Sequence, residues 1–173
     1  MTLDEALASA RLTFPGFPTE VFKTWLDDRI KQNGWPPSGI EWEGFLLGRS
    51  VREWQSFIWQ RERLSITFSD LSETANNTVR LLISAGALGQ NNIMSAYIPN
   101  TKQRFASVLE YLKDQHCLPG TIVLLRSAGK FYIIEGNHRI AALLALPHLG
   151  SPFNTLTDAP VEAWVASETE RQV

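Results

Sequence analysis

Cys117 is the only cysteine in the chain of 173 residues, so no intramolecular disulfide can form and no cysteine cluster exists for a structural zinc site. Its neighbours His116 and Leu118 do not activate a thiol, and a bystander role is expected. Excess positive charge is missing too. The net charge is −2 and the pI about 5.9, so any contact with DNA has to come from a local patch. No run approaches the ~20 apolar residues that cross a bilayer. The acidic start Met1-Thr2-Leu3-Asp4-Glu5 lacks the basic region and apolar core of a secretory signal. No membrane insertion and a cytoplasmic location are therefore expected. The chain also lacks internal repeats and low-complexity runs.

With 44% hydrophobic and 20% charged residues, the chain has an ordinary globular composition and can bury a core of useful size. Its character changes near residue 67. Every tryptophan except Trp164 (Trp25, Trp35, Trp42, Trp54 and Trp59) lies before that point, as does most of the proline-glycine punctuation. Pro15-Gly16-Phe17-Pro18 and Gly34-Trp35-Pro36-Pro37-Ser38-Gly39 read as loops. Val21, Phe22, Trp25, Leu26 and Ile30 recur at helical spacing behind a Thr19 cap. Val51, Trp54, Phe57 and Ile58 predict a second amphipathic helix that finishes in Arg61-Glu62-Arg63. These aromatic stripes read as core, with a partner-binding surface as the sharper alternative.

Residues 70–86 predict the next helix, opened by Asp70 and Glu73 at capping-box spacing and stopped by Gly86. Gln90-Asn91-Asn92 reads as a loop. Thr101 caps a helix through Phe105, Val108, Leu109 and Leu112 that Pro119-Gly120 ends. The continuous apolar run Thr121-Ile122-Val123-Leu124-Leu125 predicts a strand buried on both faces. Ser127-Ala128-Gly129-Lys130 is a turn, Phe131-Tyr132-Ile133-Ile134 the returning strand, and Pro160–Val165 a last strand. Helices outnumber strands and the strands fall late, which gives an α+β fold. Residues 1–90 read as a Trp-rich helical extension packed on a core of residues 91–173, together one compact unit.

The chemistry concentrates at Glu135-Gly136-Asn137-His138-Arg139, where a strand hands over to the helix Ile140–Leu146. Gly136 permits the sharp turn and lets a ligand approach the backbone. Asn137 reads as the N-cap, followed by backbone N–H groups without helical partners, and these form a ready anion site. His138 and Arg139 add side-chain donors, and an arginine can grip a phosphate with two parallel bonds. Glu135 is placed to hold a divalent cation or accept a proton. Spacing alone leaves an ordinary strand-to-helix turn with solvated His138 and Arg139 equally open.

The stretch Ile134-Glu135-Gly136-Asn137-His138-Arg139-Ile140-Ala141-Ala142-Leu143 resembles the signature of the ParB/sulfiredoxin superfamily. There a strand ends in an acidic residue or glycine, followed by Gly-x-His/Arg-Arg and an alanine-rich helix. The preceding hairpin, the helix before it and Pro119-Gly120 fall in similar places, so the resemblance covers roughly residues 95–167. It implies a small mixed sheet with surrounding helices, with nucleotide phosphates held by Gly136, Asn137, His138 and Arg139. Glu135, His138 and Arg139 would then be catalytic, with ATP and Mg2+ (or another divalent cation, held through Glu135) as cofactors. Arg126, Lys102 and Arg104 are further candidates for the same cleft.

Two departures narrow what the resemblance implies. Sulfiredoxins carry a cysteine where this chain has Asn137, so sulfinic-acid repair is not expected. Only about thirty residues follow the motif, too few for the helix-turn-helix module of the partitioning proteins. The layout is most similar to plasmid-encoded fertility-inhibition proteins. That likeness implies ATP hydrolysis, with DNA cleavage, directed against a type IV secretion transfer complex: its DNA or its coupling protein. A non-catalytic protein- or DNA-binding module with a vestigial turn, and a small-molecule kinase whose acceptor pocket the N-terminal helices form, are the alternatives. Arg49, Arg52, Arg61, Arg63 and Arg80 form the one candidate DNA patch, but Glu53 and Glu62 interrupt it, and a salt-bridged face is the expected reading. His116 and His148 lack metal-ligand spacing and receive no role.

Overall fold

The run at 122–125 organises the molecule. In the computed structural model, which describes residues 2–37, 44–156 and 159–168, it belongs to strand β2 (Ile122–Ser127). Successive side chains of a strand point to opposite faces. Ile122 and Leu124 therefore enter one apolar cluster, and Val123 and Leu125 enter another on the far side of the sheet. The expectation of a strand covered on both faces holds.

Four strands make one mixed sheet in the order β1-β4-β2-β3, with β1 at Phe57–Leu64, β3 at Lys130–Glu135 and β4 at Val161–Glu168. The β2–β3 hairpin and the β1–β4 pair are antiparallel, whereas β2 and β4 run parallel. Mixed helix and sheet agree with the α+β expectation.

Helices cover both faces. On one side lie α4 (Glu73–Ala87), α6 (Thr101–Gln115) and α7 (Asn137–Ala145), packed through Val79, Leu82, Phe105, Leu112, Ile140 and Leu144. On the other lie α1 (Leu3–Thr13) and α2, with the short α3 (Val51–Ser56) leading into β1. Helix α2 starts at Thr19–Val21, passes through a π-helical turn at Phe22–Leu26 and continues over Asp27–Asn33. A further short helix, α5 (Ile93–Tyr97), links α4 to α6.

The largest departure from the sequence reading is β1. The predicted helix stops at Ser56, and Phe57–Leu64 pairs with β4 along its whole length. Trp54, Phe57 and Ile58 fit helical spacing, but Phe57, Ile58 and Trp59 are also strand-favouring types, and the ladder with β4 decides between the two. Residues 1–90 thus supply an edge strand of the sheet as well as helices, and the strands do not all fall late.

Helix starts deviate by one residue. The caps are Pro18, Asn100 and Gly136 in place of Thr19, Thr101 and Asn137. Asp70 closes a reciprocal cap with Thr67 on a short turn, while Ser72 caps α4. Gly86 does not end α4 but lies within it, against α6. The helix before Pro119-Gly120 ends earlier, with His116 in the left-handed region at its C-cap. Trp42 and the Ser38-Gly39 end of the second predicted loop lie outside the described residues.

Most of the described aromatic residues of the N-terminal part are core. Trp25, Trp35 and Trp54 are at most 4% exposed, and Phe17 stacks against Trp25 with ring centroids 5.9 Å apart. A tryptophan-based partner site therefore cannot rest on these three side chains, whereas Trp59 is half-buried. Among the described residues no helix is long and apolar enough to cross a membrane.

Candidate functional site

Strand β3 ends at Glu135, and the chain turns into α7 through Gly136 at φ 109° and ψ 20°. A β-carbon at Gly136 would stand 3.1 Å from Ile122 Cγ2, so both the backbone conformation and the space call for glycine. No side chain caps this helix. The first intrahelical bond runs from Ile140 N–H to Gly136 C=O. The N–H groups of Asn137, His138 and Arg139 therefore have no intrahelical acceptor and stand at the positive end of α7. Glu135 folds back so that Oε1 accepts the Gly136 N–H at 3.0 Å.

Arg139 has a different position from the one expected of a phosphate grip. Its Nη1 donates to the carbonyls of Pro119 at 2.9 Å and Thr121 at 3.0 Å. A β-carbon on Gly120 would lie 3.3 Å from Nη1, and one on Gly136 3.3 Å from Nη2. The two glycines thus leave room for the guanidinium, which ties the entry of β2 to the start of α7. Burial pushes Arg139 below its ordinary pKa, and the charge of Glu135 acts in the opposite sense. Nη1 of Arg139 is used in holding the turn, and its Nη2 and Nε make no hydrogen bond among the described residues.

Thr121 carries the same tie further. Its hydroxyl donates to Glu20 Oε1 at 2.6 Å, and the other Glu20 oxygen accepts Trp164 Nε1–H at 2.9 Å. The Thr121 bond, then the Trp164 bond, hold the Glu20 carboxyl below its usual pKa. Helix α2, β2, β4 and the turn are therefore joined through one carboxylate. Nothing in the spacing of the sequence announces this, because Glu20 and Thr121 are 101 positions apart.

His138 points inward. Its Nε2 is buried and has no hydrogen-bond partner among the described residues. Burial first, and the charge of Arg104 second, lower its pKa from the usual 6.5. The unfolded chain therefore binds more protons than the folded one just below that value. Stability contributed by the neutral imidazole is complete above about pH 6.5 and declines as pH falls. Melting temperature measured from pH 7.5 to pH 5 should drop more steeply for the wild type than for His138→Gln. Parallel curves would show that the imidazole does not titrate in this way.

Of the remaining predicted residues, only Arg104 comes near the turn, through that electrostatic contact with His138. Lys102 lines a separate depression with Gly89, Gln90 and Asn100. Arg126 does not join the cleft. Its guanidinium makes two bonds to Glu62, at 3.0 and 2.6 Å, and lies over Phe131. The register explains this: Val123 stands opposite Glu135, while Arg126 stands opposite Phe131 at the hairpin end.

A cavity of about 420 Å3 opens beside the turn, within the usual size range of small-molecule pockets. Asn137 lines it together with Tyr132, Ile133 and Ile134 of β3 and with Ser72, Thr74 and Thr78 at the start of α4. Leu47, Arg49 and Trp54 from the N-terminal segment also line it. Reading the sequence missed Arg49, Ser72 and Tyr132 as site residues, because only the folded sheet brings them to Asn137.

Glu135 is the carboxylate at the turn, and the described residues contain no group of three His, Cys, Asp or Glu side chains that could hold a metal ion. Magnesium bound chiefly through nucleotide phosphates and water needs only one or two carboxylates. One carboxylate suffices for that mode, in which Glu135 would be the protein ligand, and no cage of protein ligands is found among the described residues. Three of the arginines weighed as a DNA patch have side-chain partners within the molecule. Arg49 pairs with Glu53, Arg61 with Glu162 on the neighbouring strand, and Arg80 with Asn76 while lying over Phe68. Compared with protein families, with curated proteins and with solved structures, the chain finds no match.

Proposed function

We propose that this protein is a nucleotide-binding effector of the ParB/sulfiredoxin kind that hydrolyses ATP at the Glu135–Arg139 turn. The observation that carries the reading is the uncapped start of α7, where Gly136 frees the amides of Asn137, His138 and Arg139 beside a cavity of about 420 Å3. Free amides at the positive end of a helix suit phosphate oxygens. Glu135 sits two residues before the first of them, and its Oε2 makes no hydrogen bond among the described residues, so it suits a magnesium ion carried by the nucleotide or a proton from attacking water. Arg139 supports the site from behind by fixing the loop at Pro119–Thr121 against the helix.

DNA cleavage, and interference with a plasmid transfer complex or its coupling protein, belong to the same proposal through the resemblance. ATP turnover is its testable centre. Purified protein with Mg2+ and ATP should release phosphate, and Glu135→Gln should lower the rate roughly 100-fold or more, the usual size of an acid-base contribution. Glutamine keeps an oxygen for the Gly136 N–H, so the turn itself should persist. Equal phosphate release from wild type and variant would remove Glu135 from the chemistry, and absence of release from both would remove the hydrolase reading.

One observation favours a second reading, a small-molecule kinase. The N-terminal segment contributes Leu47, Arg49 and Trp54 to the cavity wall, as an acceptor pocket built by that segment requires. In that case labelled phosphate from ATP would appear on a small acceptor and not in solution.

A further inference from the structure

The wall of the cavity facing Asn137 is chemically one-sided. Its polar side chains are Arg49, Ser72, Thr74, Thr78, Tyr132 and Asn137, and no carboxylate is among the described lining residues. Trp54, Leu125 and Ile134 supply an apolar floor. Thr74 and Thr78 are four apart on α4, so both hydroxyls present to the same side of the helix. A cavity with a cation, hydroxyl donors and an apolar floor suits an anionic molecule with a ring-bearing body.

Arg49 is the unusual member. Its side chain is 25% exposed, and among the described residues its Nη1 has one carboxylate partner, Glu53 Oε1, at 3.5 Å. Glu53 is committed elsewhere, because its Oε2 accepts the Ser50 N–H at 2.7 Å and the Ser50 hydroxyl at 2.8 Å. Those bonds to Ser50 are what hold the Glu53 carboxyl below its usual pKa, with the Arg49 charge the smallest contributor. The guanidinium also lies over the Phe57 ring, 5.5 Å from its centroid, a contact that holds it against the protein surface. A half-buried guanidinium with one long ion pair retains most of its donors for a ligand.

We propose that Arg49 is the anion clamp of this cavity, holding the phosphate of a small phosphate ester against the Asn137 end. The identification of that ester as ATP rests on the proposed function, whereas the clamp and the cavity do not. Arg49 belongs to the N-terminal part of the chain, outside the stretch that resembles the superfamily. In consequence this segment takes part in ligand binding.

Binding to the full chain should be followed by tryptophan fluorescence, since Trp54 lines the cavity, and confirmed by calorimetry. The probes are ATP, AMP, adenosine, pyrophosphate and benzoate. Wild type should bind ATP and AMP, with adenosine at least tenfold weaker. Arg49→Ala should weaken the phosphate-bearing probes at least tenfold while leaving adenosine unchanged. Arg49→Lys should fall between, and the exposed neighbour variant Arg52→Ala should match wild type. Far-ultraviolet circular dichroism and denaturation midpoint show whether each variant is folded, and Arg49→Lys carries the test if Arg49→Ala is not. Folded Arg49 variants that bind ATP and AMP as wild type does would overturn the clamp. Pyrophosphate binding that depends on Arg49 without nucleotide binding would leave the clamp standing and sink the nucleotide reading. Benzoate bound in preference to every phosphate probe would overturn the phosphate assignment, as would failure of all phosphate probes to bind.

Discussion

Replacing Arg139 with alanine should destabilise the protein by roughly 2–4 kcal/mol, an effect seen without any ligand. The guanidinium Nη1 serves the carbonyls of both Pro119 and Thr121. Hydrogen bonds from a charged donor contribute about 1.5–3 kcal/mol each, and acceptors left buried without a partner add a desolvation cost. For a chain of this size, such a loss lowers the melting temperature by roughly 2–4 °C per kcal/mol. Urea denaturation should show the midpoint falling with the slope unchanged, as expected when only native-state interactions are lost. Arg139→Lys should recover part of the difference, since one ammonium can reach two carbonyls without filling the same space. If Arg139→Ala denatures at the wild-type midpoint, the inward bonds do not hold the loop. The result also bears on function: failure of the alanine variant to bind nucleotide says nothing about phosphate contact until the fold has been shown to survive.

Gly86→Val should cost about 3 kcal/mol or more, and Gly86→Ala less. A β-carbon at this position would stand 2.5 Å from Phe105 Cγ, inside any permissible contact. Helices α4 and α6 would have to separate, and overpacking of that kind costs roughly 1–3 kcal/mol for a few added carbons. Alanine recovers about 1 kcal/mol of helix propensity relative to glycine, so its net effect is smaller, while valine adds two further methyl groups and gains less propensity. Phe105→Leu should partly relieve both variants, because it shortens the group that the new side chain meets. A double-mutant cycle reads that coupling directly. Gly86→Ala as stable as wild type, with no coupling to Phe105, would show that the two helices approach less closely than the structure has them.

How much of this was legible in the sequence differs by residue. The run 121–125 announced a doubly covered strand because both faces needed apolar side chains, and Ile122 to Leu125 supply them without interruption. The turn was legible because Gly136 followed by Asn137 marks a helix start whatever the tertiary setting. Segment 57–64 was misread because Trp54, Phe57 and Ile58 fit a helical period while Phe57, Ile58 and Trp59 are also strand-favouring types, and the deciding partner, β4, lies about a hundred positions away. Arg139 was assigned to a ligand because spacing shows where an arginine is but not which way it points. Its true partners, two backbone carbonyls, have no signature in residue type. Gly86 looked like punctuation for the same reason. A glycine that ends a helix and a glycine that admits a neighbouring ring are identical in one dimension.

The placement of β4 between β1 and β2 has a consequence for how the chain reaches this state. During synthesis the strand at Phe57–Leu64 emerges long before its sole sheet partner at Val161–Glu168 exists. Its ladder closes a loop of about a hundred residues, and pairings of such high contact order form slowly. Until then Phe57 and the tryptophans around it are an apolar cluster awaiting a lid, so the interval before β4 docks is when the nascent protein is most exposed to self-association.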